Sequence, residues 1–271
     1  MDVQPEHIDD EDIAYVVGEL ARVIDPETMM LVGARCRDVY QRHFRSTSAG
    51  RITHDIDFGV TIGSWERFRE LKRRFSAPAA PWQEITIGGL RIDLIPFGEV
   101  ESPPGEISHD GGFTLNVAGF GEVFASARTV DLPNGARVKI PTVPGFAALK
   151  LHAWCDRWPV GKYKDASDTA LVLAWYEEDE ALWDRYMANW TEFLGEPDLM
   201  SAYLLGVDVA SVLGERETAA LLARFTCGPS EGINKLAEQL KAPGELIYPV
   251  DRRRAQIEAL LQAMEDSAPE R

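Results

Sequence analysis

Residues 55–60 alternate strictly, with Asp55, Asp57 and Gly59 on one side and Ile56, Phe58 and Val60 on the other. A period of two belongs to a half-buried β-strand, not to a helix. Such a strand buries its apolar side and presents two carboxylates on the opposite face, about 6–7 Å apart at Cα. A second run, Leu90-Arg91-Ile92-Asp93-Leu94-Ile95, sets Leu90, Ile92 and Leu94 one way and Arg91, Asp93 and Ile95 the other. It follows residues 83–87 across Gly88-Gly89, a two-residue connection that predicts a tight hairpin. If the two acidic runs are neighbouring strands, Asp55, Asp57 and Asp93 converge. Three hard oxygen donors suit Mg2+ or Mn2+ as metal ligands, and they repel one another unless cations bind. A pair of such ions can clamp the attacking and leaving oxygens of a phosphoryl or nucleotidyl transfer.

The surrounding pattern predicts an α+β fold. Ile8, Ile13, Val16, Val17, Leu20 and Ile24 recur at helical spacing across residues 8–24. Residues 29–32 form a short buried strand, Gly33 opens a turn, and 34–44 form a helix. Residues 46–50 form a loop, and Ser64 caps a helix reaching Phe75. The Pro/Gly-rich stretch 99–112 predicts a mobile loop. A strand at 113–117, a helix at 121–127 and a hairpin joining 129–132 to 137–140 through Pro133-Asn134-Gly135 complete the first half. Pro141 and Pro144 mark a boundary. Beyond it the periodicity is helical over 145–157, 163–177, 179–193, 198–213, 215–226, 230–241 and 251–266. The expected architecture is a small mixed β-sheet domain over residues 1–142, followed by an α-helical domain over 143–271 that closes the active-site cleft.

Composition narrows the choice of partner. A net charge of −16 over 271 residues argues against a general nucleic-acid coat, and no DNA partner is expected. Any RNA contact must use a local patch, for which Arg67, Arg69, Lys72, Arg73 and Arg74 are the candidates; the plainer alternative is a solvated helix face. No apolar run reaches membrane-spanning length, so no membrane partner is expected. Three widely spaced cysteines, Cys36, Cys155 and Cys227, and an acidic start without a leader pattern predict reduced thiols in the cytoplasm.

Three segments together are similar to one known family. Val32-Gly33-Ala34-Arg35-Cys36-Arg37-Asp38, Arg51-Ile52-Thr53-His54-Asp55-Ile56-Asp57-Phe58 and Leu90-Arg91-Ile92-Asp93-Leu94-Ile95-Pro96 resemble the AbiEii-type nucleotidyltransferases. These belong to the polymerase-β-like superfamily and include toxins of toxin–antitoxin systems. Pro144-Gly145-Phe146-Ala147-Ala148-Leu149-Lys150, Arg157 and Lys164-Asp165-Ala166-Ser167-Asp168 resemble the family's second block. The likeness covers residues 28–176. It implies that Asp55 and Asp57 are the metal-binding pair and Asp93 the third carboxylate, the general base for an acceptor hydroxyl. Gly33, Ala34 and Arg35 would form the triphosphate-binding turn, and Arg51 and Thr53 would contact nucleotide. Lys150 would neutralise phosphate charge, and Lys164, Asp165 and Asp168 would lie at the nucleotide site. The substrate implied is an NTP with Mg2+ or Mn2+. The acceptor implied is an RNA end such as a tRNA terminus, and a toxin role would bring a cognate antitoxin.

Rival readings accompany this one. The acidic surface also suits a small-molecule, aminoglycoside-like nucleotidyltransferase acting on cationic acceptors, and a degenerate fold could serve as a non-catalytic binding module. On a helix, Lys164 and Asp168 are i, i+4 neighbours, so the second block has a plain alternative as a solvated ion-pair cluster. His43 and His152 read as structural. His54 is not assigned as a ligand. The tryptophans of the helical half, Trp154, Trp158, Trp175, Trp183 and Trp190, read as core packing.

Overall fold

The computed structural model describes residues 5–42, 55–75, 81–109, 113–188, 196–226, 231–241 and 248–267. Arg51, Thr53, His43, His54, Trp190, Cys227 and the loop at 46–50 lie outside the described residues. The chain divides into two compact units, one of Gln4–Tyr40 with Arg51–Thr142 and the other centred on Val143–Arg271.

The first unit begins with α1 (Glu11–Leu20). The helix is shorter than its apolar periodicity because the Asp10 carboxylate accepts from Ile13 N at 3.1 Å and fixes the start at Glu11. Next come β1 (Met29–Val32), α2 (Gly33–Gln41), β2 (Asp55–Thr61), α3 (Trp65–Phe75), β3 (Glu84–Ile87) and β4 (Leu90–Phe97). Then follow β5 (Glu106–His109), β6 (Phe113–Asn116), α4 (Phe120–Ser126), β7 (Arg128–Asp131) and β8 (Arg137–Ile140).

Among the described residues the main sheet has six strands in the order β3-β4-β2-β1-β8-β7. β2 runs antiparallel to β1 and parallel to β4, so the sheet is mixed. Its apolar face is fully buried, with Ile56, Phe58, Val60, Ile85, Ile92 and Leu94 all at 0% exposure. The β3–β4 hairpin closes through Gly88 and Gly89, both with positive φ (60° and 85°), as a two-residue turn requires.

The expected loop at 99–112 is corrected in part. β5 pairs with β6 as a separate two-stranded ribbon. The Glu101 carboxylate accepts the Gly98 and Gly105 N–H groups at 2.8 and 2.7 Å and ties down the segment before β5. Proline and glycine content signalled the turns here but not the side-chain bond that orders them.

The second unit is helical: α5 (Val143–Arg157), α6 (Lys164–Glu178), α7 (Trp183–Ala188), α8 (Pro197–Thr226), α9 (Glu231–Gln239) and α10 (Val250–Asp266). Pro144 sits in the first turn of α5, where its missing N–H costs nothing. As expected from 198–213 and 215–226, α8 consists of two helices that meet at a kink at Gly214, whose φ of 70° no helix accommodates. Of the expected helix at 179–193, the described part is a short 3-10 turn, Glu180–Leu182, followed by α7, and 189–193 lie outside the described residues. α10 packs on α8 closely enough that a Cβ at Gly206 would lie 2.2 Å from the Leu260 carbonyl oxygen. Trp154 and Trp175 are fully buried, in keeping with core packing. No helix among the described residues is long and apolar enough to cross a membrane.

Candidate functional site

Strand register, not sequence proximity, assembles the acidic face. Asp57 lies opposite Asp93 across β2–β4, and Asp93 lies opposite Glu84 across β4–β3. Glu84, Asp93 and Asp57 therefore form one row across three strands, at a strand spacing of about 4.8 Å. The next row places Asp55 opposite Arg91 and Arg91 opposite Thr86. Like charges directly opposite in a sheet destabilise it. A row of three carboxylates is thus a feature the fold carries at a cost.

The row ends at the turn between β1 and α2. Val32 pairs with Asp57, and Gly33 follows with φ 68°. A Cβ added to Gly33 would stand 2.0 Å from Asp57 Oδ2 and 2.7 Å from its Cγ. Glycine is required here twice over, for the left-handed backbone and for the carboxylate lying against it. Ala34 is the second residue of α2. Gly33→Ala is expected to destabilise the chain by more than Gly135→Ala. Gly135 also has positive φ (78°), but a methyl group added there would meet nothing within 4 Å. Gly135→Ala carries the left-handed strain alone, about 1–2 kcal/mol. Thermal unfolding of the two variants isolates the steric part, and equal losses would mean that Asp57 moves aside freely.

Cations surround the face. Arg91 approaches Asp55 Oδ2 at 3.6 Å and Glu84 Oε2 at 3.9 Å. Lys72 of α3 donates to the Pro81 carbonyl at 2.9 Å and to the Glu84 carbonyl. Burial lowers its pKa, opposed by the nearby charges of Glu84 and Asp93. Lys72 is accordingly engaged with backbone, while Arg67, Arg69, Arg73 and Arg74 remain exposed on the same helix. Arg35 pairs with Asp10 and Asp12, both at 3.1 Å. Its guanidinium links α2 to the start of α1.

A second group forms within the helical unit. Lys150 on α5 reaches Asp168 Oδ2 at 2.6 Å and Asp165 Oδ1 at 3.5 Å on α6. Arg157 grips both oxygens of Asp165 at 3.0 and 2.9 Å. The Asp165 side chain is fully buried and that of Asp168 nearly so, which excludes a solvated cluster for these two. Lys164 is exposed at the start of α6. Burial alone would push the Lys150 ammonium down, the largest single influence. Asp168 and Asp165, with the hydrogen bond to Asp168, outweigh it and raise the amine above its ordinary value. His152, one turn earlier on α5 than Asp156, is pushed down to about 3 by burial and by Arg224, so it is a neutral core residue.

The structure thus brings Asp57 and Asp93 together with Asp55 on the same face, and separately joins Lys150, Asp165 and Asp168. Sequence reasoning missed Glu84 as a member of the acidic row. Its signal was present: a two-residue turn at Gly88-Gly89 pairs Ile87 with Leu90 and hence Glu84 with Asp93. Lys72 carried no such signal, because only the packing of α3 brings it near.

Among the described residues no group of three or more His, Cys, Asp or Glu side chains is gathered as a metal-holding set. Mg2+ does not need one. It commonly binds through one or two carboxylates and completes its shell with water and substrate phosphates. The in-register pair Asp57–Asp93 could supply hard oxygen donors for that arrangement. The chain matches no family model and no curated protein.

Proposed function

We propose that the chain is a metal-dependent nucleotidyltransferase that moves NMP from an NTP to an acceptor hydroxyl. The observation that carries this reading is the in-register Asp57–Asp93 pair, with the Asp57 carboxylate seated against the left-handed Gly33 turn. Asp55 and Asp57 would hold the ion, with Asp93 beside them. A divalent ion there would neutralise charge building on the transferred phosphate. Asp93 would take the proton from the acceptor hydroxyl as its oxygen bonds to the α-phosphorus, and pyrophosphate would leave with the electrons of the broken bond. The N–H groups at the start of α2 would face phosphate oxygens, as free helix N-termini do. The resemblance to AbiEii-type enzymes points the same way.

An RNA end is the acceptor favoured by the exposed arginines of α3, and a toxin role with a cognate antitoxin goes with that acceptor. A small cationic acceptor is the second reading, favoured by the net charge of −16. Labelled NTPs incubated with total RNA and with aminoglycoside-like acceptors separate the two. Reversing Arg69, Arg73 and Arg74 to Glu is expected to depress RNA labelling at least tenfold while NTP affinity stays within twofold, since each lost phosphate contact weakens binding and lowers its salt dependence. Normal labelling by the triple variant would make α3 a solvated face. Label on the small acceptor alone would select the second reading, and label on neither would leave a non-catalytic binding module.

A further inference from the structure

The cations beside the acidic face differ in how firmly they are held. Lys72 donates to two backbone carbonyls and is fixed. Among the described residues Arg91 makes no short bond: it stands 3.6 Å from Asp55 and 3.9 Å from Glu84, with its side chain 60% exposed. Its position is set by register, because β4 places Arg91 directly opposite Asp55 on the carboxylate face. A long, flexible, permanently charged side chain between two carboxylates, one in each row, can lean to either at little cost.

We propose that Arg91 is the resident counter-cation of the carboxylate face, occupying Asp55 until a divalent ion displaces it towards Glu84. Asp55 is then a ligand that must be released before it can bind metal. Glu84 is the acceptor that receives the displaced guanidinium, so the face avoids both bare repulsion without metal and excess positive charge with it. Arg91 acts here as a positioning residue through Asp55. The inference rests on the metal-dependent reading above.

The test is the Mn2+ affinity of the full chain with NTP present, followed by electron paramagnetic resonance. Arg91→Gln keeps most of the side-chain reach and removes the charge. It is expected to tighten Mn2+ binding about two- to fivefold, the range that an exposed ion pair commands. Arg22→Gln removes an equally exposed arginine paired with Glu19 elsewhere in the same unit. It should leave the affinity unchanged. Asp57→Asn should remove the site in either background. A structural role for Arg91 would not tighten a metal, so unchanged or weaker binding in Arg91→Gln overturns the proposal and leaves the metal reading standing if Asp57→Asn still abolishes binding. Equal tightening in Arg22→Gln also overturns it, since net charge alone would then be responsible. If the wild-type chain binds no Mn2+, or Asp57→Asn binds it normally, the metal reading itself fails and takes this inference with it.

Discussion

Asp57→Asn is expected to abolish nucleotidyl transfer while leaving the chain as stable as before, or slightly more so. The two effects have one origin. Asp57 faces Asp93 across β2–β4, and Asp93 faces Glu84 in turn. Removing one charge from that row relieves a repulsion between directly opposed carboxylates, worth up to about 1 kcal/mol. The same change deletes an anionic donor from the pair that would hold the ion. Losing even an outer-sphere partner of a metal costs roughly 10–100-fold, so losing a direct ligand should cost about a hundredfold or more in transfer. Asparagine is nearly isosteric with aspartate, so the close seat against Gly33 is kept. The measurements are turnover at saturating Mg2+ and the thermal midpoint in chelator. Wild-type turnover would end the catalytic assignment. A large fall in the midpoint would show that Asp57 is held in place for stability.

Lys150→Ala is expected to destabilise the helical unit strongly. It takes the ammonium away from Asp168 and leaves the Lys150 side of Asp165 empty, both carboxylates being removed from water. Breaking a buried ion pair from one side costs roughly 3–5 kcal/mol, because an uncompensated charge remains inside. The pH dependence has a definite sign. The Lys150 amine is raised in the folded chain above its ordinary value of 10.5. Its contribution is therefore complete below pH 10.5 and is lost as pH rises through the raised folded value. The stability gap between wild type and variant should narrow only in strong alkali. A pairing with Asp168→Ala tests the ion pair itself, since the double variant buries neither charge and should recover part of the loss. If the double variant regains stability yet still fails to bind NTP in calorimetry, the Lys150–Asp168 pair contacts the nucleotide. If stability and NTP binding recover together, the lysine is structural.

The strands and the hairpin that frame the acidic face were legible because they rest on local chemistry. Alternation over residues 55–60 and 90–95 can satisfy a buried apolar side in one way only, and Gly88-Gly89 admits a two-residue turn that few other pairs permit. Gly33 was legible as a turn residue, and Lys150 as an isolated charge in an apolar helix. Less accessible were features decided by side chains folding back on the backbone. Asp10 shortened α1 by capping it, and Glu101 ordered a stretch whose proline and glycine content resembles a loop.

By itself the sequence determined that two acidic strands exist, which side of each is polar, and that a helical half follows a sheet-bearing half. Those properties depend on periodicity, and periodicity is a property of the chain alone. Tertiary structure decided which strand lies beside which. The order β3-β4-β2-β1 set Asp57 against Asp93, so that the hairpin pair Glu84–Asp93 became a row of three, and set Arg91 against Asp55. It also decided that Asp165 and Asp168 turn inward to Lys150 and Arg157 while Lys164 faces solvent. Helical spacing made Lys164 and Asp168 neighbours on paper. The packing of α5 on α6 gave the two aspartates cationic partners that spacing could not name, and burial made those pairings obligatory.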